Sequence, residues 1–191
     1  MAVSGSLPLA AISGPLEDGY QAFQAGNFRQ AAQLWQPLAE QDNPDAQFNL
    51  GLLYAQGKGV TKEPRQALRW YLRAAENGHA EAQFNLGDML FNGRGVFASR
   101  KEARHWWEQS AAQNFVPAQF NLGIMYLYGH AGEINTREGL RLINLAAKSN
   151  HRPALLALSR IYGEGLFGVE KDRALAIYWK RLYKEKSAPL Q

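Results

Sequence analysis

The chain has 191 residues, 46% hydrophobic and 20% charged, a composition typical of soluble globular proteins and outside the disordered and membrane-spanning classes. No apolar run approaches the roughly 20 residues that a transmembrane helix needs. There is no cysteine, which excludes disulfides, thiolate metal sites and cysteine nucleophiles, and the formal charge of +4 arises from 21 basic and 17 acidic residues interspersed as on an ordinary solvated surface.

Residues 1–15 are poor in charge and rich in small residues (Ser4, Gly5, Ser6, Pro8, Ser13, Gly14). They lack a basic leader, and Leu7 to Ile12 is too short an apolar run for a signal peptide. Two readings stay open. The segment is a loose cytoplasmic N-terminus, or it is the start of a mature chain whose signal peptide has been replaced by Met1, in which case the protein is periplasmic or secreted; the second is preferred.

A repeat organises the remainder. Asp45-Ala46-Gln47-Phe48-Asn49-Leu50-Gly51 returns as Glu81-Ala82-Gln83-Phe84-Asn85-Leu86-Gly87 and as Pro117-Ala118-Gln119-Phe120-Asn121-Leu122-Gly123, each 36 residues on. A worn fourth copy comes at the same step, Pro153-Ala154-Leu155-Leu156-Ala157-Leu158-Ser159. A fixed period of this length marks stacked supersecondary units that share a continuous core.

Residues 16–44 read as a shorter first unit, with a helix over about Glu17–Gln24 and a turn at Ala25-Gly26-Asn27. Its Gln30-Ala31, Leu34-Trp35 and Leu38-Ala39-Glu40 align with Gln66-Ala67, Trp70-Tyr71 and Ala74-Ala75-Glu76. In residues 45–80, Ala46, Leu50, Leu53 and Tyr54 lie on one helical face. Gly51, without a side chain, lets the second helix approach closely. Gly57 and Gly59 end the first helix, Val60 plugs the turn, and a second helix over about Lys62–Asn77 buries Ala67, Trp70, Tyr71, Ala74 and Ala75. Residues 81–116 repeat the plan through Leu86, Met89, Leu90 and then Ala103, Trp106, Trp107, Ser110, Ala111. Residues 117–152 keep both helices, but their loop, Gly129-His130-Ala131-Gly132-Glu133-Ile134, loses the Gly-x-Gly-Val pattern. The last unit, 153–186, has one inserted loop residue before Gly168-Val169 and resumes at about Lys171. Charge from Lys180 to Lys186 predicts a polar helix that closes the end of the stack. Ser187 to Gln191 reads as a frayed tail.

The spacing Ala-x-Ala-Gln-Phe-Asn-Leu-Gly, Gly-x-Gly-Val and Ala-x-x-Trp-Tyr-x-x-Ala-Ala-x-x-Gly-His, spelled by Asp45 to Val60 and Ala67 to His79, resembles the Sel1-like repeat family. Over residues 16–184 the resemblance implies an all-α, right-handed α-solenoid of antiparallel helix pairs, cousin to the tetratricopeptide repeats, as a single domain of units 16–44, 45–80, 81–116, 117–152 and 153–186. First helices would line a concave groove. The family implies a protein- or peptide-binding role, in bacteria frequently periplasmic or secreted, and no chemistry of its own.

With that geometry, the groove positions are those the core face leaves over. They are Phe48, Phe84 and Phe120 with Leu156; Asn49, Asn85 and Asn121 with Ala157; Leu52, Asp88, Ile124 and Arg160; then Ala55, Phe91, Leu127 and Gly163; and Gln56, Asn92, Tyr128 and Glu164. The candidate binding residues are Phe48, Asn49, Leu52, Phe84, Asn85, Asp88, Phe91, Phe120, Asn121, Ile124, Tyr128 and Arg160. Uniform rows favour repeat-to-repeat packing for the phenylalanines over partner contact. The asparagines either form a ladder between units or bond to the backbone of an extended peptide. The varied row, with Asp88 and Arg160 among apolar neighbours, is the better seat of specificity. Trp35, Trp70, Trp106, Trp107 and Trp179 read as packing residues, with one ring of the Trp106-Trp107 doublet partly exposed.

Catalytic signatures are missing from the sequence. His79 and His151 share a turn position, His105 and His130 stand apart, and no two histidines have the i, i+4 spacing of a zinc pair. Some relatives of the family have been described as penicillin-binding or β-lactamase-like, yet this chain has no Ser-x-x-Lys and no Gly-x-Ser-x-Gly. The Gly-x-Gly loops come after helices and lack the Gly-Lys-Ser/Thr end of a phosphate loop. Arg69, Arg73, Arg100, Lys101, Arg104, Arg137 and Arg141 make positive helix faces, so nucleic acid stays as a minor reading. The expectation is a non-catalytic scaffold without cofactor or metal that binds a protein or peptide, as a monomer. The alternatives are an immunity protein that neutralises a secretion-system toxin such as a lipase, and, less favoured, an enzyme acting on cell wall or β-lactams.

Overall fold

The computed structural model describes residues 14–185. Within them lie α1 (Pro15–Gln24), α2 (Phe28–Glu40), α3 (Pro44–Gln56), α4 (Pro64–Glu76), α5 (Ala80–Asn92), α6 (Arg100–Ala112), α7 (Val116–Tyr128), α8 (Thr136–Lys148), α9 (Arg152–Glu164) and α10 (Arg173–Glu185), with no strand. The expectations for Met1–Ser13 and for the tail from Ser187 lie outside the described residues. The helices form two compact units, one ending at Ala74 and one beginning at Ala75.

Each helix starts and stops for a local reason. Pro44, at the first turn of α3, gives up an N–H that would have no partner there, and the Asn43 side chain accepts from Ala46 N at 2.9 Å. The same capping bond comes from His79 in α5, Ser99 in α6 and Asn135 in α8. First helices end on Gly57, Gly93, Gly129 and Gly165, all left-handed at φ 72°, 70°, 65° and 73°. Second helices end through Asp42, Gly78, Asn114 and Asn150, which take positive φ two residues beyond. Aspartate and asparagine tolerate that conformation because the short polar side chain bonds locally. Observed boundaries fall within two residues of the sequence expectation, α1 starting earlier and α4 and α10 later. The inserted residue of the last loop is absorbed by a 3₁₀ turn, Leu166–Gly168, in which Phe167 adopts φ 57°.

Within each pair the helices touch at a glycine. A Cβ on Gly51 would lie 2.7 Å from the Tyr71 ring, one on Gly87 2.5 Å from Trp107 Cδ1, and one on Gly123 2.7 Å from Ile143 Cγ1. The first pair does the same with Gly19 under Trp35, a match that the sequence reading missed. The indoles over Gly19 and Gly87 donate to the carbonyl three residues before the glycine, Trp35 Nε1 to Leu16 O (3.2 Å) and Trp107 Nε1 to Phe84 O (3.1 Å). In the last pair Ser159 replaces glycine, and its hydroxyl donates to Ala176 O at 3.1 Å.

The expected core residues are largely buried: Ala46, Leu50 and Leu53 of α3, Ala67, Trp70, Tyr71, Ala74 and Ala75 of α4, and their counterparts onward, with Tyr54, Trp106 and Tyr126 half-buried. A further buried row, the glutamines of the repeat string, carried no assigned role in the sequence. Gln47 Nε2 donates to Ala39 O at 3.0 Å and Gln83 Nε2 to Ala75 O at 3.1 Å. Each adds a second bond to a carbonyl at the end of the preceding helix, which also accepts from the backbone N–H of Asp42 (3.2 Å) or Gly78 (3.0 Å), and so ties one helix end to the start of the next.

Two expectations are corrected. Leu127, placed on the groove row, is fully buried, and a Cβ on Gly139 would meet its Cγ and Cδ2 at 2.8 Å. The side chain fills the hollow that Gly139 leaves where the other repeats carry Ala67, Ala103 and Ala176. The last helix is not simply polar: α10 exposes Leu175, Ile177 and Tyr178 beside its charged residues, Ile177 at 58%. Charge at Lys180 to Glu185 occupies only part of the outer face.

His151, at the N-cap of α9, makes no side-chain capping bond, packs its ring against Phe120 (centroids 5.0 Å) and buries Nδ1 without a hydrogen-bond partner. Burial holds its pKa below the ordinary histidine value.

Gly87→Leu should push α5 from α6, cost about 1–3 kcal/mol by overpacking, and lower the melting midpoint in a calorimetric scan; an unchanged midpoint would refute the close contact. For His151, the folded pKa lies below the unfolded one, so the unfolded chain takes up the proton first. Stability should fall as pH drops below about 6.5. Melting curves at descending pH should show a smaller loss in His151→Asn than in the parent chain.

Candidate functional site on the first helices

In the unit beginning at Ala75, α5 and α7 bound a cleft of about 280 Å³. Trp107, Met125, Phe91, Phe120 and Ile124 give it an apolar lining, while Asp88, Asn92, Asn121 and His130 supply the polar groups. Helix periodicity explains the gathering. Asp88 and Phe91 are three apart on α5, and Phe120 and Asn121 each lie one turn before Ile124 on α7, so each set borders one face. That face is what remains once Ala82, Leu86, Gly87 and Leu90, and Ala118, Leu122 and Gly123, turn inward, with the buried Met125 forming part of the cleft floor.

The cleft thus collects Asp88, Phe91, Phe120, Asn121 and Ile124 from the candidate residues. The others lie elsewhere. Phe84 packs on Phe115 (5.4 Å) and Asn85 is half-buried. Tyr128 is 55% exposed and stacks on His130 at 5.4 Å, beside the cleft but outside its lining. Arg160 is exposed and paired with Glu164 at 3.4 Å. In the unit ending at Ala74, Phe48 leans on Tyr71 (5.9 Å) and Leu52 is half-buried. Asn49 is only 7% exposed, with Nδ2 lacking a partner. No hydrogen bond joins Asn85 to Asn121, so the ladder between these repeats does not form.

Four lining residues were absent from the sequence candidates: Asn92, Trp107, Met125 and His130. His130 comes from the loop that departs from the Gly-x-Gly-Val pattern, directly after the capping Gly129, and its ring lies 5.8 Å from Phe91. The corresponding Lys58 sits over the Phe23 and Phe28 rings at 6.0 and 5.2 Å. In both places the residue after the capping glycine folds back over an aromatic ring of the preceding repeat's first helix, Phe23 or Phe91, and Lys58 also meets Phe28 at the start of α2. Its spacing from that glycine is the signal that could have found it.

The polar groups around α5 are connected. Asp88 accepts at Oδ1 from Asn92 Nδ2 (3.0 Å) and at Oδ2 from Arg94 Nη1 (3.0 Å). Arg100 holds its guanidinium 5.6 Å from the Phe91 ring centre, a cation–π contact.

A second hollow of about 370 Å³ lies among α6, α7 and α8, lined by Glu108, Gln119, Tyr126, Glu138, Arg141 and neighbouring leucines. Tyr126 Oη donates to Glu108 Oε1 at 3.0 Å, and burial together with that carboxylate raises the phenol pKa. Arg141 grips Glu138 with two bonds, 2.8 and 2.6 Å, which lowers the Glu138 pKa and raises that of Arg141. These groups pair with one another. Among the described residues no three His, Asp or Glu side chains converge as a metal site, and no helix is long and apolar enough to cross a membrane.

Comparison with known proteins fits this arrangement. The chain matches a Sel1 repeat protein from Oxalobacter formigenes at 33% identity and TM-score 0.84, over 91% of this chain and 69% of that one. It matches c5321, a protective antigen of uropathogenic Escherichia coli strains displaying an SLR fold, at 28% identity and TM-score 0.84, over 91% of this chain but only 38% of that one. No curated protein matches the sequence. The Sel1 repeat pattern itself matches residues 16–43, 44–79, 80–115, 116–151 and 152–179. With five matched repeats and an all-α solenoid fold in common with these structures, the chain belongs to the Sel1 repeat family.

Proposed function

We propose that this protein is a non-catalytic binding scaffold that holds a peptide segment of a protein partner on the first-helix face of its repeats. The observation that carries the reading is the α5–α7 cleft, where apolar rings and a few polar groups converge. Exposed aromatic surface with a few directed polar groups suits an anchor side chain in an otherwise neutral contact. Repeat scaffolds of this family generally mediate protein–protein interaction, which supports the reading.

Photo-crosslinking in the native host tests it. The crosslinker p-benzoylphenylalanine at Asn121 or Ile124 should capture the same partner, and the same probe at exposed Lys148 on α8 should not. Phe91→Ala should remove the crosslink, while Arg160→Glu, which lies outside the cleft, should leave it. Capture from Lys148 alone would overturn the groove reading. Turnover of nitrocefin or muropeptides by the purified chain, abolished by substitution of Glu108 or Tyr126, would overturn the non-catalytic one.

A further inference from the structure

The chemistry of the partner can be taken one step further, resting on the groove reading above. Two arginines reach back to the lip of the cleft from the loop and helix that come after α5. Arg94 meets Asp88 at 3.0 Å and Arg100 lies over Phe91 at 5.6 Å, and Asp88 and Phe91 both line the cleft. Each carboxylate oxygen of Asp88 has a partner, one Asn92 and the other Arg94. Its charge is therefore answered from within the protein.

The arginines are in a different position. Arg94 spends one of its five N–H donors on Asp88 and is 66% exposed, so most of the guanidinium fork faces outward. Arg100 is exposed and has the Phe91 ring, with no carboxylate beside it among the described residues. A guanidinium stacked on an aromatic face is already oriented, so little rotamer freedom is lost when it takes a hydrogen-bond acceptor. Lys101 is next in the chain and is also exposed. The lip is thus cationic, and the lining beneath it is apolar.

We infer that the cleft takes a peptide segment in which an acidic side chain stands next to a large apolar one. The apolar side chain lies on Phe91, Phe120 and Ile124. The carboxylate is received by Arg100 and by the free donors of Arg94, with Asp88 acting as the brace that aims Arg94. A basic segment would meet the two arginines and find the Asp88 charge already paired with Arg94. The net charge of +4 draws the same class of partner at long range.

The test uses the full chain, isotope-labelled, and capped tetrapeptides of alternating Leu and Glu, Leu and Gln, or Leu and Lys, with NMR shifts of the Ile124 and Met125 methyls read out. The Glu peptide should move both signals, with affinity falling as salt rises from about 50 to about 500 mM. The Gln and Lys peptides should bind about tenfold more weakly or less, the difference expected of a charge-assisted hydrogen bond. Arg100→Gln should remove the preference for Glu over Gln, Arg100→Lys should retain part of it, and Lys148→Gln should change nothing; the amide spectrum of each variant reports its folding. Equal binding of Glu, Gln and Lys peptides at these methyls would overturn the acidic preference while leaving the groove reading intact. A Leu–Gln peptide with a free terminal carboxylate binding as well as the Glu peptide would overturn the side-chain source of the anion. Absence of any shift at Ile124 and Met125 with every peptide would overturn both.

Discussion

The structure depends on the close approach of the two helices, in each repeat but the last, at a residue without a side chain. A Cβ on Gly19, Gly51, Gly87 or Gly123 would fall well inside contact distance of a large side chain on the second helix. Because the glycine is bare, Trp35, Tyr71, Trp107 or Ile143 lies directly over helix backbone, burying a large apolar area at that point. Where the large residue is an indole, its N–H reaches the carbonyl three residues back and is satisfied there, at Leu16 and Phe84. Trp70 and Trp179 occupy the preceding helical position, facing away from this contact, and their Nε1 atoms are buried without a partner. The glycine contact is thus where packing and hydrogen bonding agree, and the pairs are held in register there.

This constraint also determines where variation is free. The Ala, Leu and Gly positions of each first helix are committed to the pair, and the buried Gln47 and Gln83 are committed to the end of the helix before. What remains in the unit beginning at Ala75 is a strip containing Asp88, Ile124 and Arg160, where one repeat can differ from the next without touching the core. The cleft appears where that strip combines Asp88 with Ile124 across two adjacent first helices. In the fourth copy the strip carries Leu156, Ala157 and Arg160, the last paired with Glu164, and none of them lines the cleft.

Much of this could be read in the residues, and the failures have particular causes. The period, the two helices of each unit, the capping glycines and the close contacts at Gly51 and Gly87 all rest on helical spacing, which the 36-residue period repeats for checking. Gly19 escaped because only sixteen residues separate it from Trp35, against twenty between Gly51 and Tyr71, so a fixed offset passes it by. Gln47 and Gln83 escaped because an amide in a helix carries no sign of burial until the carbonyl it serves is placed. Leu127 was assigned to the surface by register, and the alanine-to-glycine change at Gly139 drew it inward. Of the site, the helical half was legible and the loop half was not. Asp88, Phe91, Phe120, Asn121 and Ile124 are fixed by one face of a helix, whereas His130 and Arg94 depend on the path of a loop after a left-handed glycine, where periodicity gives no guidance.

The charges on this face can be ranked by what they leave free. Arg141 with Glu138 and Arg160 with Glu164 are exposed pairs one helical turn apart, each worth about 0–1 kcal/mol or less. They remove two cations from those faces while adding little to stability. The Arg94–Asp88 pair differs in that the acid stands on a helix and the base on the loop between Gly93 and Gly95, both at positive φ. A side chain on so short a loop is fixed chiefly by the group it touches, so Asp88 orders Arg94 more than it neutralises it. Arg100 is ordered by Phe91, with no acid paired to it among the described residues. Two guanidinium groups held in place by a brace and a ring, above an apolar floor, have already lost the freedom that a partner's carboxylate would otherwise have to remove.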